Sequence, residues 1–320
     1  MSGDMGKNEI VMAHNAGCKG ILVLTGGGKE SLGIFRDTWR GYEADIIADN
    51  AFEAVKRIPL MRMNELVFAG EIVMKRPDMI IFDYGHTLIY QPNYNTSNGN
   101  KAIYNYISKN PRNITFEEYD KTIIDIFAKI RAERGATLEI HEYAFLKLAL
   151  EYMDIELSVS FEEAEKIIMD GISMGGVMPY TDKMLDYLNS KDIRTGVISN
   201  LCFSGKALRY QLDRLLPNNK FEFTLASSDY IFRKPHSIMF EIALQKARLS
   251  ADKVWYCGDS IEADIYGAKC VNIFPILYSG ETIDETNPFA NQNDGLRIDF
   301  DYLYIHDWRE LIDILEKANS

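Results

Sequence analysis

The chain is short of several things that would have pointed elsewhere. Its four cysteines (Cys18, Cys202, Cys257 and Cys270) lie far apart and form no Cys-x-x-Cys pair, which removes the spacing of structural zinc sites and dithiol redox motifs. Each falls in or beside an apolar run, so all are expected as buried free thiols in a reducing cytoplasm. Positive charge is scarce: 35 Lys and Arg stand against 47 Asp and Glu, for a formal net charge of -12. That balance disfavours non-specific association with nucleic acid or an anionic membrane surface, while leaving room for a local basic pocket around a small anion. No apolar run reaches the length of a membrane span, and the chain reads without a secretory leader. "TGGG" at 25–28 lacks the spacing of a dinucleotide or nucleotide-phosphate loop and reads as a turn.

What is present begins with 47% apolar residues over 320 positions, enough for a sizeable core in one large domain or two ordinary ones. Residues 1–60 read as a short α/β segment, with "EIVMAHNAG" and "AFEAVKRI" as helices and "GILVLTGGG" and "ADIIAD" as strands. Residues 61–77 are expected to link it to a second unit that starts with "DMIIFDYG". Over 96–175 four segments show helical spacing: "NKAIYNYISK", "TFEEYDKTIIDIFAKIRAER", "IHEYAFLKLALEYM" and "SFEEAEKIIMDGI". No strands are expected between them. Thr115 and Ser160, each followed by Phe-Glu-Glu, are expected N-caps. Short apolar strands alternate with amphipathic helices over 78–95 and again over 176–320. The expected fold is therefore α/β, a doubly wound parallel sheet with a helical subdomain inserted over 96–175. Ligands in such sheets bind beyond the carboxyl ends of the strands.

Polar residues collect at those ends. Asp83 ends "MIIF", Ser199 and Asn200 end "TGVI", and Lys234, followed by Pro235, lies in the loop after "FTLASS". Gly258 and Asp259 end "VWYC", and Asp264 comes five residues after Asp259. If the strands are parallel neighbours, one sheet edge gathers an acid nucleophile, a hydroxyl, a cation and two more acids. That inventory suits phosphoryl transfer with a divalent cation linking carboxylates to phosphate. Taken singly, Asp83 and Ser199-Asn200 could be helix caps, Lys234 a solvated surface lysine, and Asp264 a cap or surface partner. The ordered set is what favours chemistry. Tyr90, Tyr94, Tyr104 and Tyr106 read as core and rim of the helical insert, with a substrate-pocket lining as the alternative.

In order, Asp-x-x-x-Thr, Ser-Asn, Lys-Pro and Gly-Asp-Ser-x-x-x-Asp resemble the haloacid dehalogenase-like (HAD) hydrolase superfamily over about residues 76–320. The insert falls where that superfamily places its type-1 helical cap. The resemblance implies a Mg²⁺-dependent phosphatase acting on a small phosphorylated metabolite, with oligomeric state left open. It makes Asp83 the nucleophile that forms an aspartyl-phosphate. Thr87, Ser199 and Asn200 become phosphate-binding residues, and Lys234 steadies both phosphate and nucleophile. Asp83, the backbone carbonyl of Gly85, and Asp259 become metal ligands, with Asp264 a further ligand or an acid behind them.

Gly85 departs from the pattern. Most phosphatases of the superfamily carry Asp there, as the acid that protonates the leaving alkoxide and then deprotonates water. Its loss removes a group worth ~10²–10⁴-fold but spares substrates whose leaving group needs no proton. His86 is the adjacent candidate to replace it, with a packing role as the alternative. A catalytically silent phospho-ligand binding protein is a second reading of the chain. A carbon–halogen hydrolase is a third, disfavoured because that branch does not need Mg²⁺ and Asp259 and Asp264 are both present. The first segment raises its own question. "GDMGKNEI" aligns with "GDSIEADI", so that Gly3, Asp4 and Glu9 match Gly258, Asp259 and Asp264. Residues 1–60 thus resemble the tail of a histidinol-phosphatase-like member with no nucleophile before it. It is either a remnant, with Asp4 and Glu9 vestigial and Met74 a natural start, or a functional addition.

Overall fold

Six short apolar stretches, each flanked by polar turns, become neighbouring parallel strands. A computed structural model describes residues 2–3, 10–11, 21–25, 28–44, 46–49, 75–280, 298 and 300–318. By contact, the chain divides into two units, Met1–Val73 and Met74–Ser320. In the second unit the strands of this sheet are β1 (Met79–Phe82), β2 (Arg194–Ser199), β3 (Phe221–Ala226), β4 (Val254–Gly258), β5 (Phe274–Tyr278) and β6 (Leu303–Ile305). Their order is β3-β2-β1-β4-β5-β6, with every pair parallel. Every residue of β1 and β4 is buried, so helices cover both faces. Met79 and Ile81 pack with Met239, Phe240 and Ala243 of helix Ser237–Ala247. Phe82, on the opposite face by the alternation of a strand, meets the ring of Trp308 edge-on at 5.6 Å, at the start of helix Trp308–Lys317. The chain runs outward from β1 through β2 and β3, then crosses to β4 on the other side of β1. The carboxyl ends of β1 and β4 therefore flank the point where strand order reverses, the usual ligand crevice of such sheets.

Between β1 and β2 lies the helical insert, made of α1 (Thr96–Tyr104), α2 (Phe116–Arg134), α3 (Glu142–Met153) and α4 (Phe161–Ile172). Ile103, Tyr119, Phe145, Leu146 and Ile168 form its core together with Phe203 and Ala207 from the loop and helix after β2. Thr115 and Ser160 are the N-caps of α2 and α4, each closing a capping box with the Glu three residues on. One expectation is corrected. The helix placed over "NKAIYNYISK" ends at Tyr104, whose ring meets Phe116 and Tyr119 edge-on, and Ile107–Lys109 instead pairs antiparallel with Glu156–Leu157. Strands therefore do occur among the helical segments. A second antiparallel pair, Ile89–Tyr90 with Gly176–Val177, joins the chain entering the insert to the chain leaving it. There a Cβ on Gly176 would lie 2.4 Å from the Tyr90 ring, so only glycine allows the two chains this close. Tyr104 belongs to the insert core, and Tyr106 is exposed.

The thiols also need correction. Cys257 is buried, but Cys202 is only half-buried and Cys270 is exposed, because the short helix Gly267–Cys270 turns Gly267 and Ala268 inward instead. Cys18 lies outside the described residues. No helix among the described residues is long and apolar enough to cross a membrane.

Among the described residues the first unit holds three parallel strands, Ser2–Gly3, Ile21–Val23 and Ile46–Ala48, in consecutive order. Gly3 pairs with Leu22 as Gly258 pairs with Leu277 in the second unit. Gly28 opens the helix Gly28–Leu32, so the last glycine of "TGGG" starts a helix. The helices expected over "EIVMAHNAG" and "AFEAVKRI" lie largely or wholly outside the described residues, as do Asp4 and Glu9.

Candidate active site

Asp83 extends the β1–β4 ladder by one residue: its N–H donates to the Cys257 carbonyl at 2.8 Å. The backbone therefore fixes where the carboxylate points, and the residue is buried. Across the crevice, Lys234 reaches in from the loop after β3. Its Nζ donates to Asp83 Oδ1 at 2.6 Å, Asp264 Oδ1 at 2.6 Å, the Tyr256 hydroxyl at 2.8 Å and the Ile198 carbonyl at 3.2 Å. An ammonium has three protons, so four acceptors compete for it. Burial opposes the Lys234 charge, but Asp264 and Asp83 outweigh it and hold the lysine above its ordinary pKa. A buried cation in this setting is stable only because it is paired.

Asp264 lies in a π-helical turn, Ile261–Tyr266, a rare geometry that recurs at functional sites. Its Oδ1 accepts from Lys234 and from the Tyr256 hydroxyl at 3.0 Å, and its Oδ2 accepts from the Ser260 N–H at 2.9 Å. The side chain packs onto the main chain of Gly258, where a Cβ would sit 2.3 Å from the Asp264 Cγ. Glycine at 258 is thus a condition of the site.

Asp83, Asp259 and Asp264 each bring one oxygen into a group whose members lie within 4.8 Å of one another. Burial, then Asp264, raise the Asp83 carboxyl to about 6 despite Lys234. Burial, then Asp83 and Asp264, push Asp259 well above the usual carboxylate range. Three carboxylates facing one ammonium leave uncompensated negative charge, and the donors are all oxygens. That set fits a hard divalent cation such as Mg²⁺.

The remaining predicted residues take distinct places. Ser199 ends β2 and is buried beside Ile198, whose carbonyl meets Lys234. Asn200, expected to bind phosphate, has its side-chain amide engaged elsewhere: Nδ2 donates to the Lys234 carbonyl at 2.9 Å and Oδ1 accepts from the Lys234 N–H at 2.8 Å. It braces the lysine from both sides. Thr87 is fully buried, and its hydroxyl has no hydrogen-bond partner. An unsatisfied buried hydroxyl costs about 1–3 kcal/mol. Gly85 and His86 form the turn after Asp83: the His86 N–H donates to the Ile89 carbonyl at 2.8 Å, and His86 has a φ of 54°. A Cβ on Gly85 would meet nothing within 4 Å.

Tyr256 escaped the sequence reading. It sits in an apolar strand and counts as core by composition, yet its hydroxyl bridges Lys234 and Asp264. The signal was its hydroxyl, which needs a partner once buried, two residues before the strand-end Gly-Asp.

The class so defined is an α/β protein with a Rossmann-like parallel sheet that carries a buried acid–lysine–acid group at its switch point. The sequence profile of the haloacid dehalogenase-like hydrolases matches residues 80–277, and the chain belongs to that family. It is similar to the glyceraldehyde 3-phosphate phosphatase of Methanocaldococcus jannaschii, 26% identical over 200 residues, which cover 59% of this chain and 79% of that one. It is also similar to the ribulose-1,5-bisphosphate 5-phosphatase of Halopiger xanaduensis, 24% identical over 47% of this chain and 63% of that one. In fold it resembles the crystal structure of a HAD phosphatase from Thermococcus onnurineus, with a TM-score of 0.50 and 18% identity, covering 76% of this chain and 99% of that one.

Proposed function

We propose that this hydrolase is a Mg²⁺-dependent phosphatase of a small phosphorylated metabolite, acting through a phosphorylated Asp83. The observation that carries the reading is the Asp83–Lys234–Asp264 triad with Asp259 beside it. The two curated relatives are named for phosphorylated sugars, which supports the same substrate class here.

In the first step Asp83 attacks phosphorus, the bond from phosphorus to the leaving oxygen breaks, and the phosphoryl group passes to the carboxylate. Lys234 holds Asp83 Oδ1, so attack through Oδ2 keeps that hydrogen bond. The buried Thr87 hydroxyl gains its missing partner from a phosphoryl oxygen, and Ser199 and Lys234 take other oxygens as charge develops. Asn200 contributes by holding the Lys234 backbone. Asp83, Asp259 and the Gly85 carbonyl would hold Mg²⁺, with Asp264 anchoring the lysine behind them. The cation, when bound, would neutralise phosphate charge and keep Asp83 ionised. In the second step water attacks the aspartyl-phosphate, releases inorganic phosphate and restores Asp83. Gly85 offers no side chain to protonate the leaving oxygen, so substrates with stable leaving anions are favoured.

Gly85 also supports a second reading, a protein that binds phospho-ligands without turnover. A phosphate-release screen over a metabolite panel, with and without Mg²⁺, separates the two. Mg²⁺-dependent release from at least one phosphosugar is expected, whereas binding without release throughout the panel would favour the second reading.

A further inference from the structure

Glu139 lies in the insert between α2 and α3, 94 positions before Arg233, yet its buried carboxylate ties together the loops after β2 and β3. Its Oε1 accepts from Arg134 and from the Ile140 N–H, and its Oε2 accepts from Arg233 and from Ser227 Oγ at 3.0 Å. Ser227 in turn accepts from the Leu201 N–H at 2.9 Å. Leu201 follows Asn200, whose amide brackets the Lys234 backbone, and Arg233 precedes Lys234. A closed ring of bonds therefore surrounds the base of the lysine, and one of its members comes from the insert.

The backbone beside this ring is strained. Ile231 has φ 70° and ψ −38°, and the Phe232 N–H donates to the Tyr230 carbonyl at 2.7 Å. That is a γ-turn of the left-handed kind, rare for any residue and worse for a β-branched one. Ile231 is 61% exposed, so packing does not hold it there. Bonds to the insert do: the Glu139 N–H donates to the Ile231 carbonyl, the Arg233 N–H donates to the Thr137 carbonyl at 2.9 Å, Leu138 bridges Phe232 antiparallel, and the Glu139 carboxylate fixes the Arg233 side chain at the end of the same turn. Strain of this sort persists only where the surroundings over-determine it.

We propose that Glu139 is a positioning residue for Lys234: from the insert, it locks the strained Ile231–Arg233 turn and thereby sets Nζ between Asp83 and Asp264. The inference rests on the reading of Lys234 as the cation of the phosphate site. It makes seating of the insert and completion of that site a single structural event. Lys234 spans two carboxylates at 2.6 Å each, a geometry that a small shift of its backbone would break.

The test compares the full chain with Glu139→Ala, Glu139→Gln and Lys234→Met on p-nitrophenyl phosphate, with inorganic phosphate as inhibitor and thermal melting as the check on folding. Glu139→Ala should lower kcat by ~30-fold or more and weaken inhibition by phosphate in parallel, since a positioned charge-assisted group acts on the transition state. Glu139→Gln, which keeps the shape, should show a smaller loss of both. Adding Ile231→Gly to Glu139→Ala should recover ~10-fold, because glycine adopts the turn without strain. A structural role alone would not produce that rescue. If Glu139→Ala does not fold, Glu139→Gln decides: a kcat and phosphate inhibition equal to wild type overturn the proposal. So does loss of kcat in a folded Glu139→Ala that Ile231→Gly fails to restore. Lys234→Met separates the two levels. If it retains activity, the lysine reading itself is wrong. If it is inactive while Glu139→Ala matches wild type, only the inference about Glu139 fails.

Discussion

On the proposed mechanism, Gly85→Asp should make turnover less dependent on the leaving group. The backbone accepts the change: a Cβ at 85 meets no atom within 4 Å, and the residue is outside the left-handed region. Replacing glycine at such a position adds ~0.4–1 kcal/mol by restricting the unfolded chain. Against this, the new carboxylate joins three others. At a separation on the order of 7 Å and an effective dielectric of about 20, each ionised neighbour repels it by ~2 kcal/mol. That repulsion raises the pKa of the new Asp, which suits a group that must donate a proton near neutral pH. A well-placed general acid contributes ~10²–10⁴-fold, or about 3–5 kcal/mol of barrier. The assay is kcat/KM for a series of phosphate monoesters of graded leaving-group pKa. Wild type should fall steeply as that pKa rises. The variant should fall less, gaining at least ~10-fold on alkyl phosphates with little change on aryl or acyl phosphates. A flat wild-type profile would instead mean that another group, with His86 the nearest candidate, already supplies the proton and that Gly85 leaves no gap for Asp to fill.

Thr87→Val removes the unpartnered buried hydroxyl, so it should stabilise the ligand-free protein by ~1 kcal/mol while lowering kcat/KM by ~10-fold or more. Melting and kinetics on the same sample check the two opposite signs. Asp83 bears on stability as well. Its folded carboxyl sits at about 6 against an ordinary 3.8, so the folded state binds the proton more tightly and loses stability as pH rises from about 4 to about 6, by up to ~3 kcal/mol. Asp83→Asn should accordingly be at least as resistant to urea as wild type at pH 7.5 without Mg²⁺; a clear loss of stability would contradict that sign. Every residue assigned to the site belongs to Met74–Ser320, so a chain beginning at Met74 should keep wild-type turnover. An insoluble or inactive product would make the first 73 residues part of the working protein.

The site was legible where chemistry coincides with the end of an apolar run. Asp83, Ser199 and Asp259 each follow such a run, and parallel pairing brings those ends together. Lys234 and Asp264 could be placed by their loops, but not the bonds they make. Asn200 shows the limit: its residue type suits phosphate, whereas the fold engages its amide on the Lys234 backbone. Tyr256 was hidden because its strand reads as core. Glu139 was hidden because its partners are distant in sequence and nothing local distinguishes it from a surface acid. Most of the fold followed from periodicity, and the caps at Thr115 and Ser160 from their Glu partners. Ile107–Lys109 did not, because a three-residue strand exists only through its pairing with Glu156–Leu157.

In the proposed mechanism Asp83 carries the phosphoryl group. The most direct test is a rapid acid quench during Mg²⁺-dependent turnover, followed by mass spectrometry of the peptide containing residue 83. A phosphate adduct on Asp83 should appear before inorganic phosphate and decay with it, with neither adduct nor phosphate release from Asp83→Asn. Phosphate release from Asp83→Asn at the wild-type rate, or turnover with the adduct absent at every time point, would contradict the mechanism.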